Sequence, residues 1–505
     1  MYSTIMTKKT KPSFLDFKAL TCLDRLVITG TSQTFGYENA MRKYCYNNGM
    51  DPNFLANWAR PLTNRIKEQA EAMALLSGFP MVDCNKFKDR KDEFIKDRMA
   101  KHKFKHGDVI AVFKSMENCF SFYRSQSAKN ATMKGCPFKL RSNKCLHYYI
   151  YLYDNFLGLV CLRIQSYAPF SIQFIVNGHH ILERLLVEHD VSFKKLDNCF
   201  TDIKDFDKAQ ALSNSITGTY INQHLDRISR AQIPLLDIMP DWYRFTVRQI
   251  ELSRDVYTPT DDVSVDKIRN TILQLCLQRP DDFISYITQP PRKPRKPDFS
   301  YRNTRLGICA KFHSGTTSIK AYHKFDTVLR IETSCYNLRK LTARRTMLTK
   351  TGETVIKTAP MTRSLLDINL FIEFSKNANQ RMADRLDAFW SQAYSNKELQ
   401  RVSRRTKDQK INFSGINFFA KRDSDLLRSV ASPQYDLTGF KRSDIAKQTG
   451  LNPSQAGYAI RRLRAHQLVK KINGTNRYFL TKMGRKSTIN TLLLEHVIVA
   501  PLMTA

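Results

Sequence analysis

Between residues 145 and 177, hydrophobic and polar positions alternate in three short runs, CLHYYIYLYD, GLVCLRIQSY and FSIQFIVNG, punctuated by Asp154-Asn155, Gly158 and Pro169. β-Branched and aromatic residues with that period and those breaks predict an antiparallel meander. The period then lengthens in HHILERLLVEHDV, an amphipathic helix entered through an Asn177-Gly178 turn. Helical spacing also marks NRIKEQAEAMALLSGF and DRKDEFIKDRMAKHKFKHGD, so residues 1–130 are expected to be mainly helical, with DVIAVFKS as a strand. Downstream come a helical pattern around 205–230, the alternating run DWYRFTVRQIELSRDVYT and the helix SVDKIRNTILQLCLQ. The cationic segment QPPRKPRKPD follows; its prolines bar it from a regular helix or central strand, so it reads as a linker.

These patterns predict an α+β protein: antiparallel sheets with flanking helices, a helical N-terminal region and a C-terminal winged helix-turn-helix. Shifts of texture divide it into a helical region at 1–130, a sheet plus helix at 131–235, an α+β core at 236–345, a basic helical region at 346–422 and a DNA-binding unit at 423–490.

In GTTSIKAYHKFDTVLRIET, residues 315–333, one strand face carries Ser318, Lys320, Tyr322 and Lys324, while on the next strand Arg330 and Glu332 point away from Leu329 and Ile331. A two-residue loop pairs Tyr322 with Ile331; a three-residue loop at 325–327 pairs Tyr322 with Arg330 and Lys320 with Glu332. Only the second gives one polar and one apolar face, and it is the expected register. RQIELSRDVYT likewise turns Glu251, Ser253 and Asp255 away from Ile250, Leu252 and Val256. On a common sheet Glu251, Asp255 and Glu332 are expected to converge, and carboxylate oxygens are donors that Mg²⁺ or Mn²⁺ accepts. Such an ion polarises a phosphodiester while Lys320, Lys324 or Arg330 steadies the developing charge and a tyrosine or water attacks. A half-exposed sheet with solvated cross-strand ion pairs explains the same pattern without catalysis.

The segment DLTGFKRSDIAKQTGLNPSQAGYAIRRLRAHQLVKKINGTNRYFLTKMGRK resembles a winged helix-turn-helix. Its first helix stops at Gly450, and its second starts with Asn452 as cap and Pro453 at the first helical position. Ala456, Ile460 and Leu463 form the buried stripe, turning Ser454, Gln455, Tyr458, Arg461 and Arg462 outward. Two short strands around Asn473-Gly474 make the wing. Placed in a major groove, that helix reads bases while Lys470, Lys471 and Arg477 meet phosphates.

Charge strengthens this reading. The 81 Lys and Arg against 46 Asp and Glu give +35 over 505 residues, a balance whose natural partner is a polyanion, most simply DNA. An anionic membrane is the weaker choice, since there is no run of 18 apolar residues, no signal core and no lipidation glycine, and a cytoplasmic location is expected. The eleven cysteines are scattered without a C-x-x-C, as expected of reduced thiols, and Cys136, Cys145 and His147 lack the second close pair of a structural zinc site. His147, Tyr149, Tyr151, Arg163, Gln165 and Tyr167 offer a stacking face for single-stranded bases, although several are also required as core.

The order IELSRDV, helix, SIKAYHKF, VLRIET resembles the core of rolling-circle replication initiators of the plasmid transfer-origin and filamentous-phage types. The resemblance covers about 90 residues and implies acidic metal ligands at Glu251 or Asp255, motif positions at Tyr322, Lys324, Arg330 and Glu332, and a tyrosine that nicks one DNA strand. The His-hydrophobe-His motif of many such nucleases is missing, the adjacent His179 and His180 do not replace it, and Tyr336 and Tyr394 are further tyrosines to weigh as nucleophile. Most of the chain also resembles a group of uncharacterised bacterial proteins, which implies shared architecture and no activity. The expected function is therefore a DNA-binding, metal-dependent nicking and rejoining protein of a mobile element, replication-initiator-like or transposase-like. The alternatives are a non-catalytic DNA-binding regulator or structural factor and, third, an RNA-binding protein.

Overall fold

A computed structural model describes residues 13–50, 55–87, 89–124, 138–235, 237–277, 299–304, 307–348, 351–391, 396–408, 411–418 and 420–494. Two compact units emerge: Cys22–Glu251 with Met361–Ile372, and Met1–Thr21 with Leu252–Pro360 and Glu373–Ala505. The linker 289–298, Cys136 and Tyr394 lie outside the described residues.

The first unit is built on β1 (Ala19–Ser32), which alternates buried and partly exposed positions along most of its length. Helices α1 (Glu38–Asn47) and α2 (Arg60–Leu76), the short β2 (Val82–Asp83) and α3 (Lys91–Lys101) lead to a meander of β3 (Val109–Arg124), β4 (Phe138–Asp154), β5 (Gly158–Gln165) and β6 (Ile172–Asn177). Then come α4 (Gly178–Glu188), the hairpin β7 (Phe193–Leu196) and β8 (Cys199–Ile203), α5 (Phe206–Ser215), α6 (Gly218–Gln232) and β9 (Tyr243–Tyr257). The strands run in the order β9-β1-β6-β5-β4-β3-β2, and β2 lies parallel to β3. The expected meander and its helix are present, and Asn177 caps α4 by accepting the His179 amide at 2.8 Å. The start holds the helices α1, α2 and α3 and, within β3, the expected strand DVIAVFKS, but β1 is a strand of 14 residues where helix was expected.

The second unit continues with α7 (Asp262–Leu277), β10 (Phe299–Thr304), β11 (Gly307–Ser314), β12 (Thr317–Lys324) and β13 (Val328–Cys335), in the order β10-β11-β12-β13-β9. The same plan thus occurs twice: a first strand, a helical connection, then a four-strand meander whose last strand returns beside the first. A ribbon of β14 (Thr342–Leu348) and β15 (Thr354–Pro360) precedes the long α8 (Ile368–Ser391). Ile319, Ala321, Leu329 and Ile331 of the sheet pack with Ile268 and Ile272 of α7 and Ala378, Met382 and Leu386 of α8, so the apolar face carries the helices. Phe14 joins this core, and the Ser13 hydroxyl and Phe14 amide both donate to Asp387 Oδ1, at 2.7 and 2.8 Å.

Beyond α8 lie α9 (Asn396–Ser403), β16 (Thr406–Asp408), β17 (Ile411–Phe413), α10 (Lys421–Val430), α11 (Tyr435–Thr438), α12 (Arg442–Thr449), α13 (Pro453–Ala465), β18 (Val469–Lys471), β19 (Tyr478–Leu480) and α14 (Lys482–Leu494). Leu426, Leu427, Val430, Ile445, Ile460, Leu463, Leu468 and Leu480 form their own core. A buried carboxylate ties this region to α8: Asp436 accepts Arg385 Nε at 2.6 Å and Arg485 Nε at 3.3 Å, and its backbone carbonyl accepts Arg381 Nε at 2.7 Å. Among the described residues no helix is long and apolar enough to cross a membrane.

Candidate functional site

The β12–β13 hairpin has the expected register, with Lys320 opposite Glu332 and Tyr322 opposite Arg330 across a turn at 325–327. Phe325 and Asp326 adopt φ of 53° and 52° there, a conformation that costs a side-chain-bearing residue roughly 1 kcal/mol or more. The polar face is not a solvated one, which corrects the half-exposed-sheet alternative. Every β13 position is buried, and Ser318, Lys324, Arg330 and Glu332 are each 2% exposed or less.

Burial at this depth requires charges to be matched. Arg330 Nε and Nη2 donate to the two oxygens of Asp255 on β9 at 2.7 and 2.6 Å, a bidentate pair with both side chains fully buried. Lys320 Nζ donates to Glu332 Oε1 at 2.5 Å and the Tyr322 hydroxyl to Oε2 at 3.0 Å, while Ser334 reaches Oε1 at 3.3 Å. Lys320 and Tyr322, between the buried Ser318 and Lys324, are half-buried, so the middle of the β12 face reaches solvent. His323 points the other way along the strand; its Nε2 lies 3.1 Å from Thr258 Oγ1, and burial pushes its pKa down to about 4.

The three expected carboxylates have different hydrogen-bond partners. Asp255 is held by Arg330, Glu332 by Lys320 and Tyr322, and Glu251 belongs to the first unit, where Gln249 Nε2 donates to it at 2.9 Å. The acid that sequence reasoning missed is Asp24 of β1: it is buried, and its ligand oxygen lies within 4.8 Å of that of Glu251. Asn177 Nδ2 donates to Asp24 at 2.8 Å, and His179 Nδ1 stands 3.5 Å away. Its signal was an isolated acid in the apolar run CLDRLVI. Tyr336 is exposed on the chain after β13.

The aromatic meander does not present the stacking face considered for bases. His147 and Tyr151 are buried, and Gln165 Nε2 is bonded to the carbonyls of Phe120 and Tyr167, at 3.0 Å each. Arg163 Nη2 donates to Glu117 at 2.6 Å, and the Tyr149 hydroxyl donates to the same carboxylate. Those hydrogen bonds hold the Glu117 carboxyl below its ordinary range against the opposing effect of burial, which is the largest single influence and raises it.

In the C-terminal region Asn452 caps α13, accepting the Gln455 amide at 2.9 Å, while Gln455 Oε1 accepts the Asn452 amide at 3.1 Å. Ala456, Ile460 and Leu463 are buried as expected, and Ser454, Gln455, Tyr458 and Arg461 are exposed. Lys470 and Lys471 are exposed on β18, which pairs with β19 across the Asn473-Gly474 turn. Two expected nucleic-acid contacts are placed differently. Arg462 is half-buried and grips Asp423 at 2.7 and 2.8 Å and the Ser414 carbonyl at 3.0 Å. Arg477 Nη1 donates to the carbonyls of Thr438 and Gly439, at 3.2 Å each. Both guanidiniums hold the local fold together. No family model matches the chain, and searches of curated proteins and of solved structures found no match to it.

Proposed function

We propose that the chain is a DNA-binding protein whose α12, α13 and β18–β19 hairpin act as a winged helix, with α13 entering the major groove. The observation that carries this reading is the outward row Ser454, Tyr458 and Arg461 beside Lys470 and Lys471, all exposed, on a chain of net charge +35. Arg461, Lys470 and Lys471 are the phosphate contacts; Arg462 and Arg477 keep the frame. The test is binding of the full chain to duplex DNA by fluorescence anisotropy across a salt series. A linear fall of log K with log salt is expected. Absence of binding at low salt, or a preference for RNA over DNA, overturns the proposal.

Strand nicking and rejoining is the second reading, favoured by the half-buried Tyr322 hydroxyl resting on Glu332 with Lys320 beside it. In that reading the Tyr322 oxygen attacks phosphorus, Glu332 takes the phenolic proton, and the displaced sugar oxygen takes a proton from water. Within the first unit, Asp24 and Glu251 place ligand oxygens within 4.8 Å of one another, the donors that a Mg²⁺ or Mn²⁺ would take there. Incubation of supercoiled DNA with Mn²⁺ should then yield open circles and a covalent protein–DNA adduct that Tyr322→Phe lacks. Binding without nick or adduct assigns a DNA-binding regulator or structural factor instead.

A further inference from the structure

The β14–β15 ribbon has no evident reason to exist as core. Its strands pair over seven residues each, from Thr342–Pro360 to Leu348–Thr354, yet among the described side chains Ala359 is its buried position. One face is exposed at each of its described side chains: Thr342, Arg344 and Thr346 on β14 face Pro360, Thr358 and Ile356 on β15, and Thr354 continues the row. A two-stranded ribbon alone is marginal in water, and an open strand edge invites unwanted pairing, so a ribbon kept this bare is best explained by what it touches.

The chemistry of the ribbon points to an anion. Arg339 and Lys340 at its base are exposed, as are Arg344 and Lys357 on its strands, and Arg345 is half-buried. Among the described residues none of these five forms an ion pair, and Glu353 is the ribbon's acid. Threonine hydroxyls interleave the cations, and Ile356 is 64% exposed at mid-strand. Cations with hydroxyls suit phosphate oxygens, and an exposed apolar side chain suits a thymine methyl. Seven residues at about 3.3 Å each give a rod of roughly 23 Å, and a two-stranded ribbon fits a major groove about 12 Å wide. The ribbon also adjoins the proposed wing within the same unit: a methyl placed on Gly474 would meet Thr358 Oγ1 at 3.2 Å, and Thr358 lies on the exposed face.

We infer that β14–β15 is a second duplex-DNA reader that extends the winged-helix surface, its outward face lying along a groove and Arg339, Lys340 and Arg344 on phosphates. This rests on the DNA-binding reading above. The test compares the full chain, K340A/R344A and R461A/K470A/K471A by anisotropy on one duplex over 50–300 mM salt, with hydroxyl-radical footprints and thermal melts as folding controls. The ribbon variant should melt like the parent, bind roughly 10- to 30-fold more weakly near 0.15 M salt, lower the salt slope by about 2 and shorten the footprint at one end. If it binds with unchanged slope and footprint while the helix–wing variant loses affinity, the ribbon inference fails and the winged-helix reading stands. If the parent itself does not bind DNA, both fail. If the ribbon variant changes sedimentation from dimer to monomer with DNA binding intact, the ribbon is a contact between chains and the inference is overturned.

Discussion

Replacing Asp255 by asparagine is the sharpest probe of what the polar face does. The carboxylate accepts two charge-assisted hydrogen bonds from Arg330, at 2.7 and 2.6 Å, and neither side chain has any exposure. Removing one charge of such a pair leaves the other desolvated, at a cost of about 3–5 kcal/mol, whereas replacing both by apolar groups is often near neutral. Asp255→Asn and Arg330→Met should each destabilise the second unit by that amount, and D255L/R330M should recover most of the loss. The chain has three tryptophans, of which Trp390 lies in the core of the second unit. In a W58F/W242F background its fluorescence during urea unfolding therefore reports that unit, and a single variant should lower the midpoint by roughly 1–2 M. The series is repeated with Mg²⁺ and with Mn²⁺. A structural ion pair predicts the same losses with and without metal. If Asp255→Asn costs under about 1 kcal/mol in the absence of metal yet abolishes a metal-dependent stabilisation, Asp255 is a metal ligand and the reasoning is wrong.

Asp436→Ala strips the shared carboxylate from Arg385 and Arg485, and should cost about 3–5 kcal/mol and loosen the C-terminal region, read as faster amide exchange in α13 with β12 and β13 still protected. Arg461→Ala should weaken duplex binding about 5-fold and leave thermal stability unchanged, whereas Arg462→Ala, by freeing Asp423, should lower stability by about 1–3 kcal/mol. His323 has a pKa near 4 in the folded chain against roughly 6.5 unfolded. The fold thus favours the neutral ring, so stability is fully present above pH 6.5 and is lost as pH falls toward 4, by on the order of 1–3 kcal/mol. Urea midpoints measured from pH 7 to 4 should drop less steeply in His323→Gln.

The register of β12 and β13 was legible because alternation and turn length together admit one arrangement that separates polar from apolar residues. That the polar face is itself buried was not, since what covers a sheet is supplied by residues far along the chain. β1 escaped for a local reason: Leu20, Leu23, Leu26 and Val27 sit at spacings that suit a helix as well as a strand. Helix α13 was readable down to its cap and buried stripe, but Arg462 lies at the edge of that stripe, and its fate is decided by Asp423, 39 positions upstream. A periodic pattern assigns faces; it does not name the partner that claims a boundary residue.

The attachment of Ser13 and Phe14 to Asp387 spans up to 374 positions, and this orders events during synthesis. At roughly 5–20 residues per second, the carboxylate leaves the ribosome some 20–75 s after the segment it must hold. Until Val256 and the later residues of that core are made, the aromatic Phe14 and Ala19 at the head of β1 have no core to enter, and the part that α8 supplies comes last. The nascent chain therefore carries an early apolar segment that only a late one can shelter, an exposure that invites chaperone capture and makes pauses downstream of β13 matter for yield.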